Sequence, residues 1–220
     1  MSLLNLSVLF LIISNFVLGQ TQNSLSYFPL HIGDKWTLSN QRYALEINVL
    51  DTVHINSKVF YDVKEVSSES NTTPLVNKRL YSLDSHGNVV RRIVIPDSSD
   101  ISKQSLLFAK YIRKKFSIDT SLTGLWYKIN ANVNDAWRSM ANSQFESREI
   151  HLYKITLESR TDTVKTANHV YYHCLRFYIN DLQESDTEYW DWLAIGVGLV
   201  KRVYFSPKER GFVLIKAELK

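Results

Sequence analysis

The chain has 220 residues and a formal net charge of +4, and 45% of its residues are hydrophobic while 22% are charged. This size and composition predict one domain with a sizeable core and exclude a disordered or collagen-like chain. The 12 tyrosines, 10 phenylalanines and 5 tryptophans favour β-strands. Cys174 is the only cysteine, so an intramolecular disulfide is excluded, and its apolar surroundings predict a buried, unreactive thiol.

The start of the chain is free of charged side chains, and the first one is that of Asp34. Residues 3–18 form an apolar run that ends just before a short polar stretch. Val17 and Gly19 are small enough for the two positions that signal peptidase recognises before its cut. We therefore predict a signal peptide over residues 1–19 and an exported protein, either periplasmic or secreted.

A retained membrane anchor is the alternative interpretation of this run. Asn5 and Asn15 interrupt it, and it is shorter than the ~20 apolar residues that a membrane helix needs. No later run of apolar residues reaches that length, so we do not expect an integral membrane protein. Residues 20–220 are predicted to form a single β-rich domain.

Alternating apolar and polar residues, separated by short turn sequences, predict strands through most of this domain. In chain order, the main predicted strands cover residues 43–50, 59–66, 79–83, 89–95, 125–131, 149–159, 169–180, 188–193, 199–205 and 212–219. Residues 101–118 fit either an amphipathic helix or a strand. Because no helical crossovers separate the strands, we predict a mainly β fold with one predominantly antiparallel, curved sheet. The sheet is expected to be an open or half barrel of about nine or ten strands, with at most one short helix.

The charged residues form no pattern typical of nucleic-acid binding. The densest basic cluster consists of Lys110, Arg113, Lys114 and Lys115, which is too short for a nucleic-acid footprint and is interpreted as a solvated face. The sequence also has no phosphate-binding loop, dinucleotide fingerprint or nucleophile-elbow motif. We therefore expect neither an enzyme nor a bound cofactor.

Two histidines have the spacing of metal ligands on a helix, but the residues between His169 and His173 are typical of a strand. In a strand, side chains four residues apart lie about 13 Å from each other, too far for one metal ion. No metal site is therefore expected. Glu188 and Asp191 point to opposite faces of their predicted strand, which disfavours the paired carboxylates of a glycan-acting hydrolase.

Three aromatic residues lie close together in one predicted strand. Tyr189 points to one face of that strand, and Trp190 and Trp192 point to the other. Such residues either pack in a core or form a stacking platform for a sugar or an apolar ligand. We treat these three as the candidate ligand-binding residues.

Two segments carry a resemblance to a known family. Residues 27–36, YFPLHIGDKW, and residues 196–201, GVGLVK, resemble the YFPLxxGxxW and GVGLVK motifs of an uncharacterised family of secreted bacterial proteins. The segment that ends at Trp137 is similar to a weaker middle motif of that family, with Asn134 in place of a glycine. The resemblance implies an exported, strand-rich domain with a curved open sheet like that of periplasmic lipoprotein carriers, and it supplies no catalytic residues.

The motif residues also suit structural roles. Pro29 and Gly33 would flank the start of the first strand, and Trp36 would anchor that strand in the core. Gly196 and Gly198 would allow a bulge or a sharp bend between two strands. An alternative is that this glycine pair lets a ligand approach the backbone.

These observations favour an exported, non-catalytic binding protein. An apolar small molecule, a glycan or a protein of the cell envelope would lie against the concave face of the sheet. A structural or interaction protein of the envelope, using sheet edges or residues 110–115, is the first alternative. A glycan-acting hydrolase is the second.

Overall fold

The computed structural model describes residues 26–40, 42–69, 72–94, 123–143, 149–185, 187–205 and 210–220. The predicted signal peptide, the ambiguous segment 101–118 and its basic cluster lie outside these residues. Within them the chain forms strands and turns but no helix, and so contains no helix that could span a membrane. The strands are β1 (Lys35–Ser39), β2 (Tyr43–Ile55), β3 (Lys58–Glu69), β4 (Leu75–Leu83), β5 (Val89–Arg92), β6 (Thr123–Tyr127), β7 (Ala136–Asn142), β8 (Ile150–Lys165), β9 (Val170–Asp181), β10 (Tyr189–Ala194), β11 (Gly198–Tyr204) and β12 (Arg210–Glu218).

All of these strands belong to one antiparallel sheet with the order β6-β5-β4-β3-β2-β1-β12-β11-β10-β9-β8-β7. Neighbours in the sheet are neighbours in the chain, except where β1 pairs with β12. This confirms the predicted mainly β fold with an antiparallel sheet. The expected count of about nine or ten strands is wrong, since the sheet has 12.

The two end strands of the sheet, β6 and β7, approach each other and nearly close a barrel. The indole Nε1 of Trp137 donates a hydrogen bond to the carbonyl oxygen of Leu125 at 2.9 Å across this seam. A Cβ atom on Gly124 would lie 2.7 Å from the carbonyl oxygen of Met140 and would also collide with Ser139 Oγ. The expected open or half barrel is therefore corrected to a nearly closed one, with a glycine at the closest approach.

Strands β1 and β7 are the elements that sequence periodicity does not predict, although the N-terminal motif predicts the start of β1. The last four residues of β7, 139–142, are all buried, so apolar and polar positions do not alternate there. Strand β6 ends earlier than expected, because the amide of Ile129 donates to Asn88 Oδ1 at 2.8 Å instead of to a neighbouring strand. Strands β2 and β3 are longer than expected, because Asn56 and Ser57, both with positive φ, join them in a two-residue turn.

Alternation along each strand separates an interior face from an outer face. In β9, Leu175, Phe177 and Ile179 are fully buried, whereas Arg176 and Tyr178 between them are half-buried on the other face. Residues that pair across antiparallel strands share a face, so this assignment extends around the sheet. The interior face carries most of the hydrophobic core.

The two motif segments meet at one place in the core. The indole Nε1 of Trp36 donates to the carbonyl oxygen of Val197 at 2.5 Å. Gly198 has a φ of +89°, and a Cβ atom there would lie 3.4 Å from Pro29 Cδ and 3.3 Å from Trp36 Nε1. Gly196, with a φ of +72°, lies in the β10–β11 turn, where its amide donates to the carbonyl oxygen of Ser26 at 2.8 Å. The glycine pair thus lets the chain's own N-terminal segment approach closely.

Two further motif positions also have positive φ. Gly33, at +93°, lies in the turn before β1, and its amide donates to the carbonyl oxygen of Val49 at 2.8 Å. Asn134, at +72°, lies in the turn before β7, and its amide donates to the carbonyl oxygen of Leu157 at 2.7 Å. Asparagine is one of the few residues other than glycine that adopts this conformation readily.

Candidate functional site in the barrel interior

Five charged side chains occupy the interior of the barrel, and we call them the interior charge cluster: Glu65, Arg79, Arg91, Asp191 and Arg202. Four of them are at most 5% exposed, and Glu65 is 12% exposed. Each follows the alternation of its strand, so it lies on the same face as the hydrophobic core. Charged groups are rarely buried in this way unless they are paired or bind something.

Asp191 and Arg202 form the best-paired part of the cluster. They lie opposite each other in the β10–β11 pair, and the guanidinium binds the carboxylate through two hydrogen bonds of 2.6 and 2.7 Å. The hydroxyl of Tyr127 donates to the same carboxylate at 2.5 Å. Burial and then the charge of Asp191 raise the pKa of Tyr127 well above its ordinary value, so this hydroxyl stays a donor.

Glu65 and Arg79 form a looser ion pair, with Arg79 Nε 3.4 Å from Glu65 Oε2. Although burial alone would raise the pKa of Glu65, the charges of Arg79, Arg202 and Arg91 hold it below its usual value. One guanidinium nitrogen of Arg79 donates to the carbonyl oxygen of Ser143 at 3.2 Å. Its Nε and Nη1 are buried and have no hydrogen-bond partner.

Arg91 has no carboxylate within ion-pair distance among the described residues. Its Nη2 donates to the carbonyl oxygen of Asn142 at 2.9 Å, and its guanidinium lies 4.5 Å from the ring centre of Trp126. Its buried Nε has no hydrogen-bond partner, and neither does the hydroxyl of Tyr189. The cluster therefore combines three positive charges with two negative ones and keeps several unpaired donors.

A pocket gives access to one side of the cluster. Its cavity volume is about 40 Å³, and it opens to solvent. Its lining combines charged, polar and apolar side chains: Leu45, Glu65, Ser67, Leu75, Asn77, Arg79, Arg202 and Tyr204. Burial, and next the positive charge of Arg91, lower the pKa of Arg79 from its ordinary value. An anion beside Arg79 would favour its charged form and so raise this pKa again.

The three aromatic residues predicted to bind a ligand are divided between the two faces of β10. Tyr189 is buried in the interior, where Arg202 lies 4.9 Å from its ring centre. Trp190 and Trp192 lie on the outer face and donate to Glu158 at 3.0 Å and Asp162 at 2.8 Å. The structure thus does not bring the three together on the concave face, and only Tyr189 lies near the charge cluster.

Sequence reasoning missed the interior charge cluster, although alternation contains a signal for it. Asp191 lies two residues from Tyr189 and from Leu193, and Arg202 lies two residues from Val200 and from Tyr204. Each charge thus shares a strand face with large apolar or aromatic residues, which predicts burial. The sequence does not show which arginine faces which carboxylate, because that depends on the pairing of distant strands.

The residues considered for other chemistry lie elsewhere. His169 and His173 are exposed at one end of the β8–β9 pair. Cys174 is completely buried, and this burial raises the pKa of its thiol to about 11. The thiolate is the reactive form of cysteine, so this thiol is poorly suited to nucleophilic chemistry.

The fold and the interior together define a class of protein: a nearly closed antiparallel barrel with a buried cluster of arginines and carboxylates. No protein-family model and no curated protein matches the sequence. Two solved structures are similar at low identity and with TM-scores below 0.5. One is a predicted lipoprotein of Parabacteroides distasonis, with 11% identity and a TM-score of 0.48 over 90% of this chain and 100% of that chain. The other is a predicted exported protein with a YmcC-like fold from Bacteroides fragilis, with 12% identity and a TM-score of 0.49 over 88% of this chain and 99% of that chain.

Proposed function

We propose that the protein is an exported, non-catalytic binding protein whose barrel interior takes a small ligand with an anionic head group. The observation that carries this proposal is the set of buried N–H groups on Arg79 and Arg91 that lack a hydrogen bond within the described part of the chain, where Arg79 Nε has only the loose ion pair with Glu65 at 3.4 Å. Leaving such a donor unpaired costs about 1–3 kcal/mol, and more for a charged group. A bound carboxylate would accept hydrogen bonds from them.

The balance of charge supports the same chemistry. Asp191 is engaged by Arg202 and Tyr127, which leaves Glu65 as the one further carboxylate of the cluster for Arg79 and Arg91. An anionic ligand would balance the excess positive charge of the interior charge cluster, and planar guanidinium groups bind carboxylates through two parallel hydrogen bonds. The apolar ligand expected from the sequence is therefore revised to an anion with an apolar part.

The pocket supports an apolar part of modest size. Leu45 and Leu75 line it beside the charged residues, so an alkyl chain would contact them while the head group reaches Arg79. The cavity volume of about 40 Å³ accommodates a carboxylate group but not a whole alkyl chain, so the chain would lie along the open mouth of the pocket. We therefore choose a monocarboxylate with a single medium-length alkyl chain as the probe.

The test is calorimetric titration of the purified protein with decanoate and, separately, with decanol, which has the same chain without the charge. We expect decanoate to bind one equivalent per chain and decanol to bind at least about tenfold more weakly, because a charge-assisted hydrogen bond contributes about 1.5–3 kcal/mol. Replacing Arg79 by methionine should weaken decanoate binding by about 10- to 100-fold. Inorganic phosphate serves as an anion without the apolar chain.

The matched control is Arg138→Met, which removes an exposed arginine from the outer face of β7 and should leave decanoate affinity unchanged. Urea unfolding of both variants reports whether each is folded. Arg91→Met provides a second test within the interior if Arg79→Met is unstable. Equal affinity for decanoate and decanol, or unchanged decanoate affinity in folded Arg79→Met and Arg91→Met, would contradict the proposal.

Export rests on the charge-free, apolar start of the chain. If residues 1–19 are a cleaved signal peptide, the protein recovered from an exporting host begins at Gln20. Intact mass spectrometry of the purified protein measures this directly. A mass that retains residues 1–19 would contradict cleavage and favour the retained anchor.

A further inference from the structure

A second cluster of ionisable side chains lies at one end of the barrel, around the start of β8 and the end of β9. His151 is in β8, and Glu149 immediately precedes that strand. Asp181 ends β9, and Glu184 lies in the loop that follows it. The β8–β9 register pairs Tyr153 with Asp181, which brings these two chain segments side by side.

The orientation of His151 is fixed by Asp181. Its Nδ1 lies 2.6 Å from Asp181 Oδ2, and both side chains are at most 5% exposed. The other oxygen of Asp181 accepts a hydrogen bond from the amide of Gln183 at 3.0 Å, so the carboxylate itself is held in place. A carboxylate at Nδ1 keeps the proton there and directs the lone pair of Nε2 outward, as in many histidine metal ligands.

The Nε2 atom of His151 faces two further carboxylates. It lies 3.1 Å from Glu149 Oε2 and 3.9 Å from Glu184 Oε1, and one ligand atom from each of the three residues falls within 4.8 Å of the others. Ligand atoms bound to one tetrahedral Zn²⁺ lie about 3.4 Å apart, given bonds of about 2.1 Å. The two distances from Nε2, 3.1 and 3.9 Å, lie on either side of that value.

The electrostatics also favour a cation at this point. A nitrogen lone pair and a carboxylate oxygen at 3.1 Å repel each other unless a proton or a metal ion lies between them. The negative charges of Glu149 and Glu184, 3.1 and 3.9 Å from Nε2, would attract a metal ion to this point.

We propose that Glu149, His151 and Glu184 bind a Zn²⁺ ion, with Asp181 orienting the imidazole. One nitrogen and two oxygens are suitable zinc ligands, and the imidazole disfavours Mg²⁺ and Ca²⁺, which prefer all-oxygen sites. The carboxylates of Glu149 and Glu184 are 49% and 36% exposed, so the ion has a path from solvent. This site is separate from His169 and His173, the pair from which the sequence predicted no metal.

The test is titration of the chelator-treated protein with Zn²⁺ in a phosphate-free buffer. We expect one equivalent to bind, and Mg²⁺ and Ca²⁺ to bind at least about 100-fold more weakly. Glu149→Gln and Glu184→Gln should each weaken Zn²⁺ binding at least about tenfold, and Asp181→Asn about 10- to 100-fold. Glu149 is half-exposed, so Glu149→Gln is expected to fold and keeps the test decisive if Asp181→Asn is unstable.

Two controls separate this site from other sources of zinc binding. His169→Ala removes an exposed histidine elsewhere and should leave the affinity unchanged, as should Arg138→Met on the outer face of β7. Failure of the folded wild-type protein to bind one equivalent would overturn the proposal. So would unchanged affinity in both glutamine variants, or a loss in His169→Ala as large as in Glu149→Gln.

Discussion

Replacing Asp191 by alanine is expected to lower the free energy of unfolding by about 3–5 kcal/mol. The carboxylate is fully buried and holds Arg202 through two hydrogen bonds and the hydroxyl of Tyr127 through a third. Its removal leaves a buried guanidinium without its closest counter-charge, and the interior charge cluster then contains three arginines and one carboxylate. Urea unfolding at neutral pH, followed by tryptophan fluorescence, measures the loss.

The matched control is Asp162→Ala on the outer face. Asp162 also binds an arginine, Arg176, at 3.0 Å, but the two side chains are 21% and 34% exposed. Water screens such a pair, so its loss should change the free energy of unfolding by about 1 kcal/mol or less. Equal losses in Asp191→Ala and Asp162→Ala would show that burial does not make the interior pair more important than the outer one.

The double variant Asp191→Leu with Arg202→Met tests the cause of this loss. Removing both charges should recover most of the stability, because an apolar pair of similar volume avoids the desolvation of two ions. The hydroxyl of Tyr127 would then lack its acceptor, at a cost of about 1–3 kcal/mol. Adding Tyr127→Phe should remove that remaining cost. A double variant as unstable as Asp191→Ala would show that packing, and not charge, determines the effect.

The sequence predicts this fold well where alternation is regular. The β2–β3 and β4–β5 hairpins and the strands β8 to β12 follow from period-2 patterns and turn residues. Alternation fails for β7, because Ser139 and its three successors are all buried near the closing seam. Closure itself depends on how β6 and β7 meet at Gly124, and nothing in a local pattern reports a contact between the two ends of a sheet.

The candidate sites are harder to predict because they depend on register. Alternation assigns Asp191 and Arg202 to apolar faces, but only the β10–β11 pairing shows that they face each other. Likewise, the sequence separates Glu149 from Glu184 by a whole hairpin, and only the β8–β9 register brings both to His151. For the aromatic residues, alternation alone separates Tyr189 from Trp190 and Trp192, and they lie on the two faces of β10 in the structure as well.

The second large effect concerns Trp36, which joins the two motif segments. Its side chain is 2% exposed, its ring stacks with that of Phe28 at 6.4 Å, and its Nε1 donates to the carbonyl oxygen of Val197. Gly198 allows the backbone of the second motif to approach this indole. The contact fastens the N-terminal segment, β1 and the β10–β11 turn to one another, so a cavity at this position would loosen three elements at once.

Trp36→Ala is therefore expected to lower the free energy of unfolding by about 3–5 kcal/mol, the usual range for deleting a buried tryptophan. Trp36→Phe keeps an aromatic ring beside Phe28 but loses the hydrogen bond to Val197, which should cost about 1 kcal/mol for the bond and somewhat more for the lost volume. Guanidinium unfolding curves of both variants measure these losses.

Trp190→Ala is the matched control, because it deletes the same side chain from the half-buried outer face. It loses the hydrogen bond to Glu158 and the contact with Tyr178, but water fills the space that it leaves. We expect a loss of about 1 kcal/mol. If Trp36→Ala and Trp190→Ala lower the free energy of unfolding equally, the contacts of Trp36 between the two motif segments contribute no special stability.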